Sequence, residues 1–309
     1  MTVLVILPTE TELNSISDKL VSCAQKFGES ITLLIHESAN QPNYIDALSK
    51  LNLVTEVISL DYAQEPMALS QVLTQIIQKN QYSTLLSSDG NLFQATLPRV
   101  AAKLGVGQVS NVTSVVSNKC FKHPIYAGNV IETVEVVDPI VVATVRCSAF
   151  DLAQRSASNS LTQQQYPKPD SHESIRIIEH IFSEQDSLDI NSAKWVIGIG
   201  RGAANCEVYR RITEFADKKG FALGGTRAVV DSGLMPNDKQ IGQTGKVIAP
   251  DIYLAIGISG AIQHLAGISA AKTIFAVNCD ADAPIMSIAD YAFVGNADEI
   301  LPELQAAMA

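Results

Sequence analysis

The chain has 309 residues, 47% of them apolar and 17% charged, and a formal net charge of −10. A chain of this length buries a substantial core and suggests two domains, and the composition excludes a disordered protein. The acidic balance argues against a nucleic-acid partner, because phosphate binding needs a basic face.

In chain order, residues 3–7 (Val-Leu-Val-Ile-Leu) form an apolar run that predicts a buried strand, with no basic segment ahead of it to mark a secretion signal. Helical spacing follows from Thr9 to Phe27 and closes at Gly28. A strand at Ile31–His36, a helix near Tyr44–Leu51, a strand at Glu56–Leu60 and a helix opened by Pro66 continue the alternation. Next come a strand at Tyr82–Leu86 and a helix capped by Asp89 or Gly90 and ended by Gly105. Strands alternating with helices imply a largely parallel sheet covered on both faces.

From Val112 the pattern turns to strands: Val112–Val116, Ile131–Val137 and Ile140–Val145. A turn at Asp138-Pro139 predicts a β-hairpin added to the sheet, and Lys122–Asn129 predicts a surface loop shaped by Pro124 and Gly128. Residues 153–173, rich in Ser, Gln and Pro, predict a mobile loop. Ser174–Phe182 predicts a strand returning to the first sheet, and Ser183–Asn191 a linker. The division expected is an N-terminal α/β domain over 1–187 and a C-terminal domain over 188–309.

The second half opens with a strand into a glycine-rich turn, Lys194 to Ala203, then a helix from Ala204 to Lys219 that ends at Gly220. Strands at Phe221–Leu223, Tyr253–Ile256, Thr273–Val277 and Ala292–Val294 and a helix over 297–308 predict a small doubly wound Rossmann-like sheet. A ligand of such a sheet lies at the carboxyl ends of its strands.

The stretch from Ala249 to Gly267 carries the chemistry. Its apolar run ends at Gly257, a Ser259-Gly260 turn follows, and Ala261-Ile262-Gln263-His264 begins a helix that stops at Gly267. A strand, a glycine turn and a helix N-terminus make an anion site, since first-turn N–H groups are unpaired and the helix dipole favours negative charge. Taken alone, the same glycines serve tight geometry equally well. Gly198-x-Gly200-Arg201-Gly202 lacks the third glycine and the later acid of a dehydrogenase NAD site. Gly242-Gln243-Thr244-Gly245-Lys246 has two residues, not four, between Gly242 and Gly245-Lys246, and no Ser or Thr after the lysine, which rejects a Walker loop and ATP hydrolysis. Arg227 follows Gly224-Gly225-Thr226 and stands four residues before Asp231, so an ion pair between them is its plain alternative role. The five cysteines have no metal-ligand spacing and the other four histidines form no i, i+4 pair, so no metal is expected. No apolar run reaches membrane-spanning length, and a cytoplasmic protein is expected if the source is bacterial.

The segments 249–267, Ala271–Asn278, Ala283–Ile285 and Gly198–Gly202 closely resemble the signature of the electron transfer flavoprotein alpha subunit, and Lys122–Asn129 resembles a second, weaker motif of it. The resemblance covers most of the chain and implies FAD in the C-terminal domain and a redox carrier rather than an enzyme with its own substrate. It implies a heterodimer with a beta subunit that takes electrons from flavoprotein dehydrogenases, such as the acyl-CoA dehydrogenases of fatty-acid β-oxidation. A membrane quinone oxidoreductase would be the acceptor, and the flavin would pass through an anionic semiquinone. Carried over by position, Arg201 and Gly202 approach the pyrophosphate or ribose, Thr226 and Arg227 lie beside the isoalloxazine, and Ile241, Gly242, Gln243 and Thr244 face it with the threonine hydroxyl at N5. Ser259, Gly260, Ala261, Ile262 and Gln263 form the anion turn, His264 hydrogen-bonds flavin O2, and Asn278, Asn296 and Ala297 reach the adenosine half. At 296 and 297 the family usually has Asp-Leu, so that contact departs from the pattern. Two alternatives stay open: a bifurcating or nitrogen-fixation-type relative with a second FAD in its beta subunit, and a non-redox nucleotide-binding assembly protein.

Overall fold

The computed structural model describes residues 2–9, 13–62, 65–167, 188–191 and 193–307. Two units are resolved in it, Met1–Ile181 and Phe182–Ala309. The strand expected at 174–182, most of the linker and the expected boundary at 187/188 lie in or at the edge of residues outside the described set.

In the first unit, β1 (Thr2–Ile6) is followed by α1 (Ser15–Gln25), β2 (Ser30–His36), α2 (Pro42–Ser49) and β3 (Val54–Leu60). The Asn14 carboxamide accepts the Ser17 N–H at 2.8 Å, so α1 begins at Ser15 and not at Thr9. Then come α3 (Pro66–Asn80), β4 (Thr84–Ser88), α4 (Asn91–Leu104), β5 (Gln108–Val112), β6 (Ser114–Ser117), β7 (Cys120–Ile125), β8 (Val130–Glu135), β9 (Val141–Val145) and β10 (Thr162–Tyr166). The described strands of the main sheet run β10-β3-β2-β1-β4-β9-β5, all parallel. Alternate residues of β1 feed separate cores: Val3 and Val5 pack with α1 and α2, Leu4 and Ile6 with α3 and α4. Burial on both faces is why β1 reads as an unbroken apolar run.

Expectations are corrected at three places in the chain. The strand expected at Val112–Val116 is two strands: β5 ends at Val112, still paired with β9 in the main sheet. From Thr113, whose N–H donates to the Lys122 carbonyl at 2.8 Å, the chain pairs with β7 in a small antiparallel sheet as β6. The hairpin expected about Asp138-Pro139 does not form: β9 is buried throughout between β4 and β5, whereas β8 is mostly exposed and pairs with β7. The added antiparallel element is therefore β6-β7-β8, and the loop expected over 122–129 is strand β7 plus one 3-10 turn. Third, the polar stretch expected as a loop contains β10, an exposed edge strand paired along β3. Edge pairing uses main-chain groups and needs no apolar face, so composition hides it.

The second unit runs β11 (Trp195–Ile199), α5 (Cys206–Lys219), β12 (Ala222–Gly225), α6 (Arg227–Asp231), β13 (Ile252–Ile256), α7 (Ile262–Ile268), β14 (Thr273–Asn278), α8 (Pro284–Ile288), β15 (Tyr291–Val294) and α9 (Ala297–Ala307). The order β12-β11-β13-β14-β15 is wholly parallel and reverses direction at β11. Ile197, Ile199, Leu254 and Ile256 pack against α5, α6 and α9; Val196, Tyr253 and Ala255 pack with Ile268 of α7 and Ile285 of α8. A reversal with helices on both faces opens a crevice beyond the carboxyl ends of β11 and β13. The fold class is thus a parallel-sheet α/β unit with an antiparallel addition, followed by a doubly wound Rossmann-like unit.

The candidate cofactor cavity

The turn after β11 and the turn after β13 approach more closely than side chains allow. The Gly202 N–H donates to the Gly257 carbonyl at 3.0 Å. A Cβ at Gly200 would collide with the Gly257 carbonyl, and Gly257 itself is left-handed (φ 64°) against the Ala203 backbone. A third wall is the segment 240–246, pinned to β12 by Ile241 N–H to Gly225 O (2.9 Å) and to α7 by Gln243 N–H to Gln263 O (2.7 Å). Gly267 does not stop α7, which continues to Ile268; a Cβ there would strike the backbone of Gly242, so this glycine lets the segment lie on the helix.

These walls enclose a cavity of about 670 Å³, within the range of small-molecule and cofactor sites. Of the residues expected from sequence, Arg201, Gly202, Thr226, Arg227, Ile241, Gly242, Gln243, Thr244, Ser259, Ala261, Gln263, His264 and Asn278 line it. Gly260, Ile262, Asn296 and Ala297 are outside the lining. Gly260 is buried against the Ile285 backbone, and the Asn296 carbonyl accepts the N–H groups of Glu299 and Ile300 at the start of α9. Lining residues not anticipated include Ala228, Asp231, Gln240, Asp280 and Ala283. Gln240 is buried there, and a buried glutamine needs a partner.

The polar geometry is specific. The Gln240 Nε2 amide donates to Thr244 Oγ1 at 2.9 Å, which leaves the threonine's own hydrogen free to donate. Asn278 spends its side chain on the backbone, donating to Ile258 O at 2.7 Å and accepting from Asp280 N–H at 3.0 Å. Arg227 pairs with Asp231, Nε to Oδ2 3.4 Å, with both side chains largely exposed. Both residues line the cavity, and the pair engages the Nε of the Arg227 guanidinium. Arg201 stands exposed in the 3-10 turn that follows β11.

His264 lines the cavity and is held from both sides of its ring. Its Nδ1 lies 3.1 Å from the Ile241 carbonyl and its Nε2 lies 2.9 Å from the Tyr253 hydroxyl. Both ring nitrogens are thus engaged inside the protein, while the residue stays in the cavity lining. The ring is 5% exposed, and burial pulls its pKa down to about 4, against a smaller upward effect of the Ile241 hydrogen bond. It is neutral at physiological pH.

A doubly wound sheet with a glycine-lined crevice, two arginines and a hydroxyl donor at its switch point is the construction of a nucleotide-cofactor domain. Residues 189–269 match the family described as the electron transfer flavoprotein FAD-binding domain, and residues 3–171 match the electron transfer flavoprotein domain. The chain belongs to the electron transfer flavoprotein alpha-subunit family, and its cofactor is FAD. Electron transfer flavoprotein subunit alpha of Pseudomonas aeruginosa is 38% identical over 290 residues, covering 93% of each chain. The mitochondrial alpha subunit of Dictyostelium discoideum is 38% identical over 301 residues, covering 92% of this chain and 84% of that one. The mitochondrial alpha subunit of Arabidopsis thaliana is 37% identical over 319 aligned positions, 97% of this chain and 88% of its own. Among the described residues no helix is long and apolar enough to cross a membrane.

Proposed function

We propose that this chain is the flavin-carrying half of a heterodimer with an electron transfer flavoprotein beta subunit. It moves electrons from flavoprotein dehydrogenases, acyl-CoA dehydrogenases among them, to a membrane quinone oxidoreductase. Residues 188–309 hold the FAD and residues 1–187 serve as the scaffold for the partner. The observation that carries this reading is the convergence of Arg201, Arg227, Thr244, Ser259, Ala261, Gln263 and His264 on one cavity at the carboxyl ends of β11 and β13.

The residues present fit the cofactor. Gly202 and Gly257 let the two turns close on each other at the cavity wall, where Arg201 offers a forked cation to a pyrophosphate. Thr226, Ile241, Gly242, Gln243, Ser259, Ala261 and Gln263 line the cavity and supply main-chain and side-chain contacts around the ring system. Thr244 has a hydroxyl hydrogen free for a ring nitrogen such as N5. Asp280 is suited to the ribose hydroxyls, with Asn278 holding the turn in front of it. Bound FAD supplies the redox chemistry, passing electrons singly; the protein binds it, orients it and sets the charge around it. That charge comes from Arg227, since His264 is neutral and internally bonded.

The test is the absorption spectrum of the protein co-purified with its beta subunit during stepwise reduction. A yellow complex that takes up electrons one at a time is expected. A colourless complex that stays colourless after added FAD would overturn the reading.

A further inference from the structure

We propose that Tyr253 is a positioning residue for the cavity, acting through His264. Its hydroxyl, seated in the space left by Gly198, donates to Nε2 and fixes the imidazole as the neutral tautomer with its proton on Nδ1.

The argument is one of donors and acceptors. The Ile241 carbonyl can only accept, so Nδ1, 3.1 Å away, carries a hydrogen. A neutral imidazole then has only a lone pair at Nε2, and the Tyr253 hydroxyl at 2.9 Å must donate to it. Tyr253 is fully buried, and a buried phenol hydrogen left unbonded costs the full desolvation of that group. A Cβ at Gly198 would overlap the Tyr253 hydroxyl, so the neighbouring strand is a glycine where the oxygen sits. Tyr253 stands on β13, His264 on α7 and Ile241 on the segment pinned to β12, so one chain of hydrogen bonds joins three elements around the cavity. The imidazole wall is thereby held rigid and uncharged, and the cationic side chains lining the cavity are Arg201 and Arg227.

The consequence for flavin rests on the function proposed above; the tautomer does not, so the two are tested apart. The full chain, with histidine rings labelled with nitrogen-15, is measured by NMR before FAD is added, with His264→Gln assigning the His264 signals among the five histidines. The expected result is a protonated Nδ1 and an unprotonated, hydrogen-bonded Nε2, unchanged from about pH 5 to about pH 8. In Tyr253→Phe, which keeps the ring, the Nε2 resonance shifts to that of a lone pair without a hydrogen bond, while Nδ1 stays protonated against the Ile241 carbonyl. A wild-type spectrum with the proton on Nε2, or a Tyr253→Phe spectrum unchanged at His264, overturns the proposal. If Tyr253→Phe does not fold, the wild-type tautomer alone decides. FAD is then added. Movement of the His264 signals supports the flavin site, and their failure to move counts against that site while leaving the role of Tyr253 intact.

Discussion

The Tyr253 hydroxyl and the His264 imidazole form a buried pair, 2.9 Å apart, with the histidine in the cavity wall and the tyrosine behind it. The pair makes His264 a structural element of the site, and it gives the folded protein a pH signature.

The imidazole is held near 4 in the folded chain, below its ordinary value of 6.5. Between those values the unfolded chain binds the extra proton, so folding stability is full above about pH 6.5 and falls as pH drops towards 4. The loss attributable to this residue is on the order of 3 kcal/mol. Trp195, the chain's one tryptophan, lies in the cofactor unit and reports its unfolding. Urea denaturation followed at Trp195 should show a shallower acid slope in His264→Gln than in wild type; parallel slopes would contradict the assignment.

Gln240 is buried and its amide orients Thr244. Gln240→Met keeps the volume and removes the donor, so Thr244 loses its fixed rotor. FAD binding should weaken by about 1 kcal/mol, roughly fivefold. An unchanged dissociation constant by flavin fluorescence would show that Thr244 needs no orienting partner.

Two glycines with similar backbone conformations separate strain from space. Gly220 caps α5 at φ 70° with nothing near its missing Cβ, so Gly220→Ala should cost about 1 kcal/mol of stability and keep FAD. Gly257, at φ 64°, faces the Gly202 and Ala203 backbone, so Gly257→Ala should push the two turns apart and release the flavin. Equal FAD retention in the two variants would mean that the close approach is unnecessary.

Much of the fold is legible in the chain because burial on both faces writes itself as apolar runs, as in β1, β11 and β13. Gly105 and Gly220 are left-handed helix caps, and Pro66 opens a helix, as their chemistry demands. What pattern cannot carry is pairing. β10 is polar yet paired, and β8 and β9 flank a plausible turn yet belong to different sheets, because one is solvent-facing and the other enclosed. In the cavity, most expected residues converge because the glycine turns that place them are local. Tyr253 stays hidden because a tyrosine inside an apolar run reads as core; only the three-dimensional arrangement sets its hydroxyl against His264.

The central claim is that the turns after β11 and β13 cradle FAD, with Arg201 on its phosphates. Its most direct test is equilibrium FAD binding to the wild-type heterodimer and to its Arg201→Ala variant, read by flavin fluorescence. One FAD per alpha chain in wild type, and binding weakened at least about tenfold in the variant, is the predicted result for a lost charge-assisted hydrogen bond. Equal affinity in the two proteins, or no binding by either, would contradict it.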